Sequence, residues 1–173
     1  MFKDFEREKQ LKESEQFLDE LQEELEEKQI YEKQSLQEMS RLSTKKSGLP
    51  VDLYIDDSKS YIRGRHAKRI KFQANSDDSR TESFSSMTLD GNIVPETLPK
   101  KHSIKTKDIE KISNFVKNNV FALEKIADKE IDFQDFMNVM IKKTESASAD
   151  EIENQKEQVN KIIEKSYKGG CEL

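Results

Sequence analysis

The sequence contains one dense basic segment, YIRGRHAKRIKF, at residues 61–72. It holds five cationic side chains and no acidic one, although the formal charge of the whole chain is −5 at pH 7. Guanidinium and ammonium groups gathered in this way suit phosphates and carboxylates, because they supply several charge-assisted donors to one anion. The residues predicted to bind a partner or nucleic acid are Tyr61, Arg63, Arg65, His66, Lys68, Arg69 and Lys71.

Three interpretations of this basic segment are open. It could bind nucleic acid or a nucleotide, with Tyr61 stacking on a base and Gly64 allowing the backbone to approach the ligand closely. It could bind an acidic protein surface. It could also be a solvated face that pairs with acidic groups of the same chain, such as Asp52, Asp56 and Asp57.

Residues suited to catalysis are few. The chain has two histidines, His66 and His102, and one cysteine, Cys171. A site that needs three histidines or several thiolates in one chain is therefore excluded, and there is no nucleophile elbow or phosphate-binding glycine loop. His66 near Asp56 or Asp57 could form an acid–base pair, but a lone histidine in a basic loop is more typical of a surface residue. The sequence favours a non-enzymatic protein without a cofactor.

Residues 127–140, ADKEIDFQDFMNVM, have the outline of the second half of a calcium-binding helix–loop–helix. Placing Ile131 at the eighth loop position puts Ile126 where the third ligand belongs and Lys129 where a glycine normally bends the loop. Too few oxygen ligands remain to hold calcium. The segment instead predicts a turn between two packed helices, the second of them capped by Asp132, and no metal site.

Helices and strands must position these candidate residues, and the first predicted one is a long helix. Residues 2–46 contain no glycine or proline and are rich in Glu, Gln, Lys and Leu, which predicts one amphipathic helix. Its leucines follow a heptad seam that loses its phase after residue 25. The predicted oligomerisation residues are Leu11, Leu18, Leu21 and Leu25. The narrow stripe favours a coiled coil with another chain over a helix that packs on its own domain.

Strand patterns begin after Gly48 and Pro50, which end this helix. Apolar residues alternate with polar ones across residues 49–56 and again across 67–75, with the period of two expected for half-buried strands. In the second of these segments Ile70 and Phe72 should face the core. Residues 60–64 and 84–94 are further strand candidates, with an exposed loop at 75–86. Asp90–Gly91 predicts a tight hairpin turn.

Helical patterns return in the last part of the chain. Thr106 is the predicted N-cap of a helix with a buried stripe from Ile109 to Val120, and a second apolar stripe lies at residues 133–141. Ser148 and Glu151 fit a capping box that begins a final helix.

The predicted fold is α+β: a small, mostly antiparallel sheet with packed helices, flanked by long N- and C-terminal helices. Its parts are an amphipathic or coiled-coil helix at 1–46, an α+β domain at 48–143 and a C-terminal amphipathic helix at 148–170. The terminal helices should pair with each other, with a second copy or with another protein. No apolar run is long enough for a bilayer and the N-terminus lacks a signal-peptide core, so a cytoplasmic protein without membrane contact is expected.

Residues 48–126 resemble a small, functionally uncharacterised domain of bacteria and their phages. The resemblance is carried by GLPVDLYIDDSKSYIRGRHAKRIKFQAN, MTLDGNIVP and KTKDIEKISNFVKNNVFALEKI, and it implies short strands, a histidine-bearing loop, an Asp-Gly hairpin and a helix. The family's loop carries several histidines, whereas this chain has only His66 there. Such domains occur in operons similar to toxin–antitoxin pairs, which implies an origin in a phage or mobile element.

These observations predict a non-enzymatic binding or assembly protein. It would self-associate through its N-terminal helix and contact an acidic partner through a basic sheet surface. The alternative is a small, toxin-like effector directed at nucleic acid, which would use the cluster around His66.

Overall fold

The computed structural model describes residues 18, 21, 22, 39–55, 68–75 and 83–169, with side chains to residue 167. It has an α+β fold in which a four-stranded sheet is followed by helices, and the packing divides the chain after Gln37. The strands are β1 (Ser40–Leu42), β2 (Leu53–Ile55), β3 (Arg69–Gln73) and β4 (Phe84–Thr88). The helices are α1 (Thr44–Ser47), α2 (Thr106–Asn118), α3 (Val120–Ala127), α4 (Phe133–Val139) and α5 (Ala149–Gly169).

The sheet is antiparallel throughout, and its strand order β1-β2-β3-β4 follows the chain. Side chains alternate between its two faces, as the period of two requires. On β3, Ile70 and Phe72 are almost fully buried, whereas Arg69, Lys71 and Gln73 are half-buried. The alternation predicted from the sequence of this strand is confirmed.

One apolar core joins the sheet to the helices. On the sheet side, Leu53 and Ile70 lie in the same cluster as Ile112, Phe115 and Phe136 from the helices. Burying a side chain of this size contributes about 1.5–3 kcal/mol. The C-terminal helix shares this core, because Val159 of α5 is completely buried in it.

The predicted helix over residues 2–46 is wrong at its C-terminal end, where Ser40–Leu42 forms β1. Leu42 is fully buried and pairs with Leu53, so burial against the sheet outweighs the weak helical pattern. The helical turn α1 follows, and Gly48 ends it in the left-handed conformation at φ 76°. Of the N-terminal leucines, Leu18 and Leu21 have helical backbone and are 63% and 40% exposed, whereas Leu11 and Leu25 lie outside the described residues.

The predicted tight turn after β4 is confirmed. Gly91 donates its backbone N–H to Thr88 O at 2.9 Å, and a bridge between Met87 and Ile93 continues the pairing. Gly91 has φ 76°, and the Ser113 hydroxyl of α2 donates to its carbonyl oxygen at 2.7 Å. The turn is therefore held against the first long helix.

Two predicted helix caps are present and one is displaced. Asp132 and Asp135 form a capping box at the start of α4, and Ser148 and Glu151 bond reciprocally at the start of α5. Thr106 was the expected N-cap of α2, but it is the first helical residue, and the capping position has no side-chain bond.

The turn between α3 and α4 contains the one non-glycine residue with positive φ in the described part of the chain. Lys129 has φ 63°, the left-handed conformation that glycine usually supplies at this position of a calcium loop. The predicted turn between packed helices is confirmed, and the chain achieves it with a lysine.

Buried polar groups join the end of α2 to the segment that follows α4. Asn119 is completely buried; its amide donates to Phe115 O at 2.8 Å and its side-chain oxygen accepts from Ile141 N at 2.7 Å. Gln155 of α5 donates to the same oxygen at 2.6 Å. Next to it, Asn118 donates to Glu145 O and accepts from Ala147 N. Two adjacent asparagines thus hold an extended segment against the helical layer.

Candidate partner-binding surface of the sheet

The sheet has a second face, directed away from the core, which we call the outer sheet face. Its side chains are Arg41, Tyr54, Arg69, Lys71, Gln73, Phe84, Ser86 and Thr88. The four strands carry no acidic residue, so the charged strand residues of this face are all cationic, and Asp52, directly before β2, pairs with one of them, Arg41.

The strand register brings these side chains into rows. Arg41 lies opposite Tyr54, and Tyr54 lies opposite Lys71. Directly opposed residues of antiparallel strands have Cβ atoms about 4.5–5.5 Å apart. Arg69 precedes Lys71 by two residues and lies on the same face, about 7 Å away along the strand. Three cations from two strands therefore share one surface.

Arg41 is held by an acidic neighbour. Its guanidinium donates through Nε to Asp52 Oδ2 at 2.7 Å and through Nη2 to the same oxygen, while Asp52 Oδ1 accepts from Thr44 N at 2.8 Å. The bond to Asp52 raises the pKa of Arg41 above its usual value, with a smaller contribution from Tyr54. Part of the Arg41 charge is therefore already neutralised.

Lys68 stands at the start of β3, and its Nζ lies 2.7 Å from Asp128 Oδ1, just after α3. Both side chains are substantially exposed, at 33% and 44%. Exposed pairs of this kind contribute only about 0–1 kcal/mol to stability. The pair therefore presents little obstacle to a partner anion that approaches Lys68.

Arg69 differs from these two cations. Its Nε is buried and has no hydrogen-bond acceptor, and none of the described acidic side chains forms an ion pair with it. Because Nε is itself covered, an external anion would reach Arg69 through the two terminal nitrogens of its guanidinium. Arg69 is thus the described member of the basic cluster whose charge is least compensated within the chain.

Two aromatic rings meet on the same face. Tyr54 on β2 and Phe84 on β4 belong to strands that are separated by β3, yet their ring centroids are 5.2 Å apart with an interplanar angle of 79°. The rings therefore reach towards each other over β3, in the edge-to-face geometry that aromatic pairs prefer. Both are half-buried, so the pair forms a partly accessible apolar patch among the cations.

Only part of this surface is predictable from the sequence. Lys68, Arg69 and Lys71 were predicted, and they lie at the start and on the outer face of β3. Arg41, Tyr54 and Phe84 were not predicted. Tyr54 could have been assigned to this face, because it alternates with the buried Leu53 and Ile55; Arg41 was hidden by the helical pattern around it.

The other predicted contact residues, Tyr61, Arg63, Arg65 and His66, lie outside the described residues. His102 is exposed, and its Nδ1 lies 3.1 Å from Ile104 O. Among the side chains that the structure describes, no three His, Cys, Asp or Glu residues are grouped as a metal site would require. The described helices also lack the length and apolar character that a bilayer crossing demands.

The chain matches no protein-family model, and neither a curated protein nor a solved structure shows significant similarity to it. The resemblance of residues 48–126 to a small bacterial and phage domain therefore stays a prediction from the sequence.

Proposed function

We propose that this protein is a non-enzymatic binding protein that contacts an anionic partner through its outer sheet face. The observation that carries the proposal is the charge of this face: Arg41, Arg69 and Lys71 project from strands that contain no acidic residue. Arg41 and Lys68 pair with Asp52 and Asp128, whereas no described acidic side chain forms an ion pair with Arg69.

The negative net charge of the chain does not oppose this proposal. At about 0.15 M salt, electrostatic fields between exposed charges decay over roughly 8 Å, so a partner in contact with the sheet responds mainly to the local charges. Acidic residues are concentrated elsewhere in the sequence: the first 37 residues contain twice as many acidic as basic side chains. A local cationic face can therefore act against the overall sign.

Chromatography on immobilised polyanions tests the proposal directly. The full chain should bind both heparin and polyglutamate columns and elute with increasing salt. Replacing Arg69 and Lys71 with glutamine should lower the salt concentration needed for elution, because two contacts to the anion are lost.

The control is a second double variant with the same change in net charge, Lys156→Gln with Lys161→Gln on the exposed side of α5. These lysines form helix-surface pairs with Glu153 and Glu157 and lie outside the proposed surface. Equal elution of the two double variants would show that retention follows net charge, and the proposal would fail. Circular dichroism should show the same fold for both.

We also propose that the N-terminal leucines mediate self-association. Leu18 and Leu21 support this, since both have helical backbone and exposed side chains. An origin in a phage or mobile element rests on the sequence resemblance alone. The toxin-like alternative depends on His66, which lies outside the described residues, and stays a prediction from the sequence.

A further inference from the structure

We propose that the outer sheet face binds single-stranded nucleic acid, with bases stacking on Tyr54 and Phe84 and phosphates contacting Arg69 and Lys71. This inference rests on the proposed function and specifies its partner. The aromatic pair distinguishes this ligand from a carboxylate, because a surface that binds only carboxylates needs cations and does not need partly exposed rings.

The position of the rings favours bases as their ligand. Tyr54 and Phe84 meet over β3, the strand that carries both Arg69 and Lys71, so the rings and the cations are side by side. Every nucleobase has a planar face, and stacking on a protein aromatic ring contributes about 1–3 kcal/mol per base. A nucleic acid is an anion that presents such planar apolar groups at every repeat of its backbone.

The spacing of the cations suits a single strand. Arg69 and Lys71 point to the same side of β3 and are separated by two residues, about 7 Å, which is close to the distance between neighbouring phosphates of an extended strand. Arginine contributes a planar fork of donors that matches phosphate oxygens, and the Arg69 guanidinium has no ion-pair partner among the described residues.

A duplex fits this surface less well. Its bases are stacked on each other and paired, so their faces are not available to rings on a sheet. The ring pair lies at the middle of a four-stranded sheet and does not project as a helix that could enter a groove. We therefore expect the surface to prefer unpaired bases over double-stranded DNA or RNA.

Fluorescence anisotropy with the full chain tests the inference. The probes are a labelled oligothymidylate, an abasic oligomer of the same length and charge, and a duplex of the same length. The oligothymidylate should bind at least about fivefold more tightly than the abasic oligomer, which is the ratio that 1 kcal/mol of stacking gives. It should also bind more tightly than the duplex. Equal binding of the oligothymidylate and abasic probes would overturn the inference.

Substitutions then locate the stacking. Tyr54→Leu and Phe84→Leu should each weaken oligothymidylate binding by about fivefold or more, and leave binding to the abasic oligomer unchanged. Tyr54→Phe keeps the ring and should retain the affinity, which separates stacking from a loss of fold. Tyr167→Leu is the control, because Tyr167 is 72% exposed on α5 and outside the surface. If Tyr54→Leu binds as the unmodified protein does while remaining folded, the inference is wrong.

The two proposals can fail separately. Retention on polyglutamate that depends on Arg69 and Lys71, without preference for oligothymidylate over the abasic oligomer, would leave the anion-binding function in place and point to an acidic protein as the partner. Both proposals would be wrong if the unmodified protein did not bind oligothymidylate and if replacing Arg69 and Lys71 changed retention on neither polyanion column.

Discussion

Gly91 brings the turn after β4 into contact with α2. A Cβ atom added there would lie 2.7 Å from Ser113 Oγ and 2.8 Å from Lys117 Cε. The positive φ of 76° adds a conformational cost for any other residue. The turn thus requires glycine both for its backbone conformation and for its contact with the helix.

Gly91→Ala should lower the free energy of unfolding by about 2–4 kcal/mol, the sum of a left-handed backbone penalty and local overpacking. Gly48→Ala is a matched control, since Gly48 has the same φ but no atom within 4 Å of an added Cβ. It should cost about 1–2 kcal/mol. Urea denaturation measures the free energy of unfolding of both variants. Equal losses would show that the close contact with Ser113 adds no cost to the substitution at Gly91.

The structural role of Asn119 could not be predicted from the sequence. It lies within the apolar stripe predicted to run as one helix from Ile109 to Val120, and there it separates α2 from α3. Its side-chain amide donates to the carbonyl of Phe115 four residues earlier, and its oxygen is shared by Ile141 and Gln155. Ile141 and Gln155 are distant from Asn119 in sequence, so helical periodicity alone could not have predicted these two contacts.

At the scale of elements, the start of α5 is a charged junction. Lys143 Nζ lies 2.6 Å from Glu151 Oε1, and Glu151 also accepts from the backbone and hydroxyl of Ser148. The bond from Lys143, followed by those from Ser148, lowers the pKa of Glu151 to about 2. The ionised carboxylate therefore ties the segment after α4 to the first turn of the last helix.

The lowered pKa of Glu151 gives a pH dependence with a definite sign. The ordinary value is 4.5 and the folded value is about 2, so the unfolded chain takes up this proton first as the pH falls. The stabilisation should be complete above about pH 4.5 and disappear towards pH 2. Glu151→Gln should remove this part of the acid destabilisation, whereas Glu153→Gln, whose carboxylate is more exposed on the same helix, should keep it.

The measurement is the free energy of unfolding from urea titrations at several pH values between 2 and 5. Parallel pH profiles for the Glu151→Gln variant and the unmodified protein would contradict the assigned role of this carboxylate. The comparison is between slopes, and therefore does not depend on the absolute stability of either protein.

Elements with strong local signals were predictable from the sequence. The alternation in β3, the capping boxes of α4 and α5 and the Asp-Gly turn each depend on residues close together in the chain. Strand β1 was not predictable in this way, because Ser40–Leu42 is short and follows a helical composition. Its conformation is decided by pairing with β2 and by the burial of Leu42. For the same reason the position of Arg41 on the outer sheet face could not be predicted, since Arg41 lies there only because β1 pairs with β2.

At the scale of the whole molecule, the N-terminal leucines should decide the oligomeric state. Each leucine buried at a helix–helix seam contributes about 1.5–3 kcal/mol, so replacing Leu18 and Leu25 with serine should weaken an oligomer strongly. Light scattering over a range of protein concentrations measures this effect. A monomer at every concentration for the unmodified protein would refute self-association.

The same experiment has an internal control in the C-terminal helix α5. Tyr167→Ser also removes an exposed apolar side chain, here from the end of α5, and should leave the molar mass unchanged. Loss of the oligomer in both variants would mean that the seam extends beyond the N-terminal leucines.

The order of the strands also bears on how the chain is made. Because each strand pairs with the one before it in sequence, the paired residues are 11 to 19 positions apart, which favours faster folding than pairing between more distant strands would. A ribosome releases β1 to β4 before α2, α3, α4 and α5. Until α2 and its successors emerge, Ile70, Phe72 and Met87 have no helical layer to cover them, so the nascent chain is most open to chaperones and to aggregation during that interval.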